Sequence, residues 1–249
     1  MSDQAPAATP RELGFRMPAE WEPHLATWLA WPHHESDWPG KFPLIPPVFV
    51  ELAAALSRVE RVRLLVQGAE DEARVRALLA AGGADLSAID LFHVPTDRSW
   101  TRDFVPLFVR RSGEVAAVKF RFDGWARYPD HEADDAAGER VAGLVGLRAF
   151  DARAADGAST RPVVLEGGAI DVDGEGTLLA SESCLVTGPH GRNPWLGLAG
   201  TERVLSEQLG VDRVLWVGDG VVGDDTSGHV DDFVRFAGPG RVVLAREDR

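Results

Sequence analysis

The chain has 249 residues, 45% of them apolar, with 26 basic against 39 acidic side chains, a formal charge of −13, and one cysteine, Cys184. That length holds one large core, since domains run to roughly 100–200 residues; the charge disfavours nucleic acid and anionic membranes while favouring cations, and a single thiol rules out an internal disulfide or a multi-thiolate zinc site. No run of about 18 apolar residues and no signal-peptide pattern at Met1–Gln4 is present, so a cytoplasmic protein that is not inserted in a membrane is expected.

Residues 1–14, rich in Ala and Pro without periodicity, predict a disordered tail, and residues 15–249 a single domain. Trp21, Trp28, Trp31 and Trp38 then alternate with Pro18, Pro23, Pro32 and Pro39, the pattern of an ordered, aromatic-packed, non-helical segment. Apolar residues at helical spacing follow over Val48–Val59, then a strand in Arg61–Gln67. The same order returns as a helix over Glu70–Ala81, closed by Gly82-Gly83, and a strand in Ile89–Val94. Further on come a helix from Glu132 to Gly146, another over Thr201–Leu209, and a strand at Arg213–Val217.

Three hairpins headed by ionisable groups punctuate this α/β alternation. The first runs from Arg102-Asp103-Phe104 through Leu107–Val109 to Ser112-Gly113 and back along Val115–Phe120. The second runs from Glu166-Gly167-Gly168 past Ile170 and Val172 to Gly174-Glu175-Gly176 and back through Thr177–Ala180. The third runs from Gly228-His229-Val230-Asp231 past Phe233 and Val234 to Pro239-Gly240 and back along Arg241–Ala245. Asp103, Glu166 and Asp231 precede the turn glycines Gly113, Gly176 and Gly240 by ten, ten and nine positions, so equivalent strands are predicted to begin with a functional side chain. A repeat of roughly 60 residues fits radial ββαβ modules meeting at a centre, with a doubly wound sheet as the alternative.

Asp97, Asp103, Glu166, His229 and Asp231 at one centre would repel one another unless a cation lay among them. A guanidinium meets that need, being planar, charged at any physiological pH, and equipped with five donors that two carboxylates can grip. Trp100, two residues after Arg98, could stack on such a plane. Plainer readings stand beside these: Asp97 as a turn starter, Asp103 as the ion-pair partner of a strand arginine, and His229 as a structural histidine, although Asp231 two positions on would share its strand face. Glu166 precedes paired glycines, which let backbone approach something bound. Oxygen ligands at the acidic centre would suit Mg²⁺ or Ca²⁺, but no metal motif occurs, and the adjacent His33-His34 point to different sides of an extended segment.

Phe15-Arg16-Met17-Pro18-Ala19-Glu20-Trp21-Glu22-Pro23-His24, Thr27-Trp28-Leu29-Ala30-Trp31-Pro32, Asp97 with Trp100-Thr101-Arg102-Asp103, Glu166-Gly167-Gly168 with Ile170-Asp171, and Gly228-His229-Val230-Asp231 together resemble the agmatine deiminase family, which groups with bacterial peptidylarginine deiminases. The resemblance implies a five-bladed α/β propeller of ββαβ modules, the pentein fold, and hydrolysis of agmatine, a small cationic guanidine, to N-carbamoylputrescine and ammonia without metal or organic cofactor. It implies that Asp103 and Asp231 hold the guanidinium, that Glu166 orients the histidine and assists binding, that His229 is general acid and base, and that Asp97 and Trp100 line the pocket. Peptidylarginine deiminase is the alternative activity, a non-catalytic guanidine- or polyamine-binding fragment the alternative class, and a metal-dependent hydrolase a third reading. No nucleic-acid or membrane partner is expected, and oligomeric state is open, a homo-oligomer among the alternatives.

In the mechanism the resemblance implies, a cysteine thiolate attacks the guanidinium carbon and His229 protonates the departing ammonia. The family's cysteine lies in a glycine-rich segment near the C-terminus, beyond the module that stops here at Arg249, so a C-terminally incomplete propeller without turnover is expected. Cys184, in Ser183-Cys184-Leu185-Val186, reads as a packed strand cysteine away from the hairpin heads. Ser227 stands where many relatives carry an acidic residue.

Overall fold

The computed structural model describes residues 8–246 as a mixed α/β structure. Its packing divides the chain into two compact units, one from Met1–Glu22, Pro106–Pro129 and Gly138–Arg249, the other from Pro23–Val105 and Asp130–Ala137. No helix among the described residues is long and apolar enough to cross a membrane.

In the second unit, strands Thr27–Ala30, Val62–Val66 and Ile89–His93 form a parallel sheet in chain order. The helices Ile45–Leu56 and Ala69–Ala81 are the crossovers that parallel pairing demands. Pro46 and Pro47 are tolerated because they occupy the first turn, where a backbone N–H has no helical acceptor. Trp31, Ala53, Leu64, Val75 and Leu79 close the core between helices and sheet. Gly82 ends the second helix against the first, where an added Cβ would come within 2.1 Å of Val50 Cγ1, and Gly83 follows at φ +76°, the left-handed stop that the Gly-Gly pair predicts.

The first unit repeats one motif. Leu107–Arg111 turns back as Glu114–Lys119, and after the helix Glu132–Leu144, which runs across the boundary between the units, strand Arg148–Asp151 pairs parallel with the returning strand. Ile170–Val172 turns back as Thr177–Ser181, and after the helix Gly197–Leu209 strand Arg213–Val217 pairs in the same way. The third hairpin is Val234–Gly238 with Arg241–Leu244, and Arg153–Asp156 with Ser159–Pro162 forms a small hairpin the sequence reading omits. Val109, Val118, Ile170, Leu178, Leu185 and Leu205 fill one continuous apolar core beneath the first two motifs.

The tail predicted over residues 1–14 is held from the point where description begins, residues 1–7 lying outside the described residues. The Arg11 backbone N–H donates to the Glu207 carbonyl at 3.0 Å, its guanidinium pairs with Asp212 at 2.6 Å, and Leu13 packs on the core. One ion pair and one apolar contact anchor a segment whose composition alone suggests fraying. The strand-leading heads are likewise different from expectation: each is a single helical turn, Thr101–Phe104, Gly167–Ala169 and Val230–Asp232, with the strand beginning after it.

Candidate functional site

The turns decide where the ionisable side chains point. Glu166 and His229 are the extended residues immediately before their turns, at φ −98°, ψ 148° and φ −58°, ψ 134°. Asp231 lies inside its turn, so it does not share a strand face with His229; the turn curls its carboxylate towards the imidazole instead. Asp103 lies inside its own turn, so the equal ten-residue spacing of Asp103 and Glu166 to their glycines does not make them equivalent.

In the first unit, His229 stands between two carboxylates, its Nε2 3.8 Å from Glu166 Oε2 and its Nδ1 3.8 Å from Asp231 Oδ1. Glu166 is fully buried and His229 is 2% exposed. Both separations exceed a formed hydrogen bond, yet they present a negative oxygen to each ring nitrogen, the arrangement a proton-transferring imidazole requires. Gly168 makes the approach feasible: a Cβ there would lie 2.4 Å from His229 Nδ1 and 2.8 Å from Asp231 Oδ2. Gly168→Ala is therefore expected to displace the imidazole and cost about 1–3 kcal/mol through overpacking, read by denaturant unfolding together with a changed His229 ring resonance.

Sequence reasoning missed the cation of this cluster. Arg192 Nε donates to Glu166 Oε1 at 2.9 Å and Oε2 at 3.2 Å, both side chains being wholly enclosed. Burial alone would push the Glu166 carboxyl up, but the Arg192 charge and the neighbouring His229 outweigh it and hold it down to about 2. Burial would lower Arg192, and Glu166 more than compensates, so the guanidinium stays charged. The only signal in the sequence is the run Gly191-Arg192-Asn193-Pro194, whose arginine lies 26 positions from its carboxylate.

Cys184 also belongs here, contrary to the strand placement away from the hairpin heads. It sits on a π-helical turn, Ser183–Thr187, fully buried, and its ligand atom lies with those of Glu166 and His229 inside a 4.8 Å span. Those three donors have spacing a soft divalent ion could draw together, but Arg192 lies on both Glu166 oxygens and already supplies the positive charge. The donor set therefore suits a fixed cation better than a metal.

Leading into His229, the Asp224 carboxylate accepts from Thr226 N, Thr226 Oγ1 and Gly228 N, each at 2.7 Å. These contacts hold the loop through Ser227 at φ +65° and Gly228 at φ +112°. The short side chain at Ser227, noted as a departure, occupies a left-handed position where L-residues are rare.

Asp97, Trp100 and Asp103 belong to the second unit. Asp97 Oδ2 accepts the Ala133 N–H at 2.8 Å, and Asp134 Oδ1 accepts the N–H groups of Asp97 and Arg98 at 2.9 and 3.2 Å, so loop and helix start clamp each other. Arg98 pairs with Asp37 and, at 2.8 Å, with Asp130. Trp100 is 45% exposed and packs on Trp38 with ring centroids 5.7 Å apart, which leaves an aromatic face open. Asp103 is buried.

Residues 16–249 match the family described as Porphyromonas-type peptidyl-arginine deiminase. The chain is 37% identical over 246 residues to the agmatine deiminase of Ectopseudomonas mendocina, covering 96% of this chain and 62% of that protein. It is 37% identical over 249 residues to that of Pseudomonas aeruginosa, covering 98% of this chain and 63% of that protein. The solved agmatine deiminase of Enterococcus faecalis superposes with a TM-score of 0.83 at 31% identity, over 100% of this chain and 65% of that one. The chain thus spans less than two thirds of the length of these relatives.

Proposed function

Because this chain belongs to the Porphyromonas-type peptidyl-arginine deiminase family, we propose that it carries the general acid–base half of an agmatine deiminase, a hydrolase of the C–N bond of linear amidines. The observation that carries the reading is His229 set between Glu166 and Asp231, 3.8 Å from each, in a chain whose relatives are named agmatine deiminases. His229 protonates the ammonia that leaves the guanidinium carbon and then takes a proton from the water that releases the thiouronium intermediate. Glu166 orients the ring, and Asp231, which faces the other ring nitrogen, is assigned to the guanidinium nitrogens. The attacking thiolate is not assigned to Cys184, which, although close to His229, is enclosed in the apolar core. The five-bladed propeller is part of the same proposal, supported by the ββαβ order of the first two motifs and by their separate sheets.

Calorimetric titration of the 249-residue chain with agmatine, run beside an ammonia assay, tests the reading. Binding without ammonia release is expected, with binding lost in Asp231→Asn. Absence of agmatine binding would overturn it, and binding of an arginine peptide in place of agmatine would replace it with the peptidylarginine alternative. Ammonia release that disappears in Cys184→Ser would move the nucleophile to Cys184 and overturn the assignment of the thiolate.

A further inference from the structure

Arg192 does more than neutralise Glu166. Beyond the two contacts to that carboxylate, its Nη1 donates to the His190 carbonyl and its Nη2 to the Thr226 carbonyl, each at 2.7 Å. Thr226 in turn presents Oγ1 to the backbone N–H of His229 at 3.2 Å. One guanidinium thus spans the head that carries Glu166 and the loop that delivers His229. Its own segment is pinned from behind: Arg192 N donates to the Cys184 carbonyl at 3.0 Å, and the Asn193 side chain exchanges two hydrogen bonds with the Val164 backbone, at 3.1 and 2.7 Å. A lysine could not make this span, since an ammonium is a point charge without the planar fork.

We propose that Arg192 is a positioning residue for His229: a resident guanidinium that permanently occupies Glu166, so that this carboxylate stays an anion turned to the imidazole and is withheld from the incoming guanidinium. The proposal rests on the reading of Glu166 and His229 as a reaction centre. It assigns the substrate cation to the remaining carboxylates and explains why a fully buried glutamate needs no substrate to remain charged. The groups facing Glu166 are Arg192, His229 and Cys184, and Arg192 additionally feels Asp123.

Carboxyl ¹³C and imidazole ¹⁵N NMR titrations of the 249-residue chain test it without turnover. In the wild type Glu166 remains ionised throughout the range between weakly acidic and neutral pH. In Arg192→Ala, which leaves a guanidinium-shaped hole beside a buried carboxylate, Glu166 is expected to titrate at least about one pH unit higher, a tenfold gain in proton affinity, and the His229 ring signals to move with it. Millimolar guanidinium chloride should restore both signals, while the same concentration of tetramethylammonium chloride should not. An unchanged Glu166 titration in the variant, or equal rescue by the two salts, overturns the proposal. Should Arg192→Ala not fold, Arg192→Lys serves in its place: Glu166 still ionised but His229 ring signals displaced supports positioning by the fork, and wild-type signals overturn it. Failure of agmatine to bind the wild type would remove the functional reading, whereas these titrations decide the role of Arg192 independently of it.

Discussion

Glu166→Gln is expected to cost about 3–5 kcal/mol of folding stability, because it leaves the buried Arg192 charge facing an amide. The same exchange should erase a pH dependence. The folded-state carboxyl lies at about 2 against an ordinary value of 4.5, so the stabilisation from its ionised form is complete above about 4.5 and disappears as the pH falls towards 2. A depression of that size corresponds to about 3 kcal/mol. Urea unfolding of wild type and variant between weakly acidic and strongly acidic pH reads both effects: the wild type should lose its advantage across that window, and the two stabilities should converge. Curves that run parallel throughout would show that Glu166 gains nothing from Arg192. The double exchange with Arg192→Gln should recover part of the loss, since neither member of the pair then remains as a buried uncompensated charge.

Elements long enough to show a period were legible in the sequence. The strand Val62–Val66 and the helix ending at Ala81 come out where alternation and the closing glycines place them, and the three hairpin turns fall at the glycines that mark them. The heads were not, because a turn of three or four residues such as Val230–Asp232 carries no period, and an extended reading of Gly228-His229-Val230-Asp231 fits the letters equally well. That difference matters to the site: a strand would put His229 and Asp231 on one face by parity, whereas here they meet because the chain coils between them. Cys184 escaped for a related reason, since a π-helical turn embedded in apolar sequence looks like a short strand. Arg192 escaped because a buried ion pair across 26 positions has no periodicity, and the run around it does not name its carboxylate. What the sequence offered was a demand, that clustered carboxylates need a cation, and the structure meets part of that demand from within the chain.

Asp134→Asn is expected to stabilise the protein at neutral pH and above. The Asp134 carboxyl is wholly buried, Oδ1 is used by the Asp97 and Arg98 N–H groups, and Oδ2 has no hydrogen-bond partner among the described residues. Burial, reinforced by the negative charge of Asp97, raises this carboxyl from 3.8 to about 7, against the opposing pull of those two N–H groups and the Arg98 charge. Since the folded-state value is the higher one, the contribution of the neutral acid is complete below about 4 and is lost as the pH rises through 7, a change of about 4 kcal/mol. Asparagine copies the neutral acid, keeping an acceptor for the two N–H groups and never ionising. Stability of the variant should equal wild type near pH 4 and exceed it by about 2–4 kcal/mol above pH 7; no divergence on going from acid to neutral would show that the burial of Asp134 does not disfavour its charge. The slope runs opposite to that of Glu166, which is why the two carboxylates can be separated in one titration: a buried acid with an arginine on both oxygens fails when it is protonated, and a buried acid given only backbone donors fails when it is not.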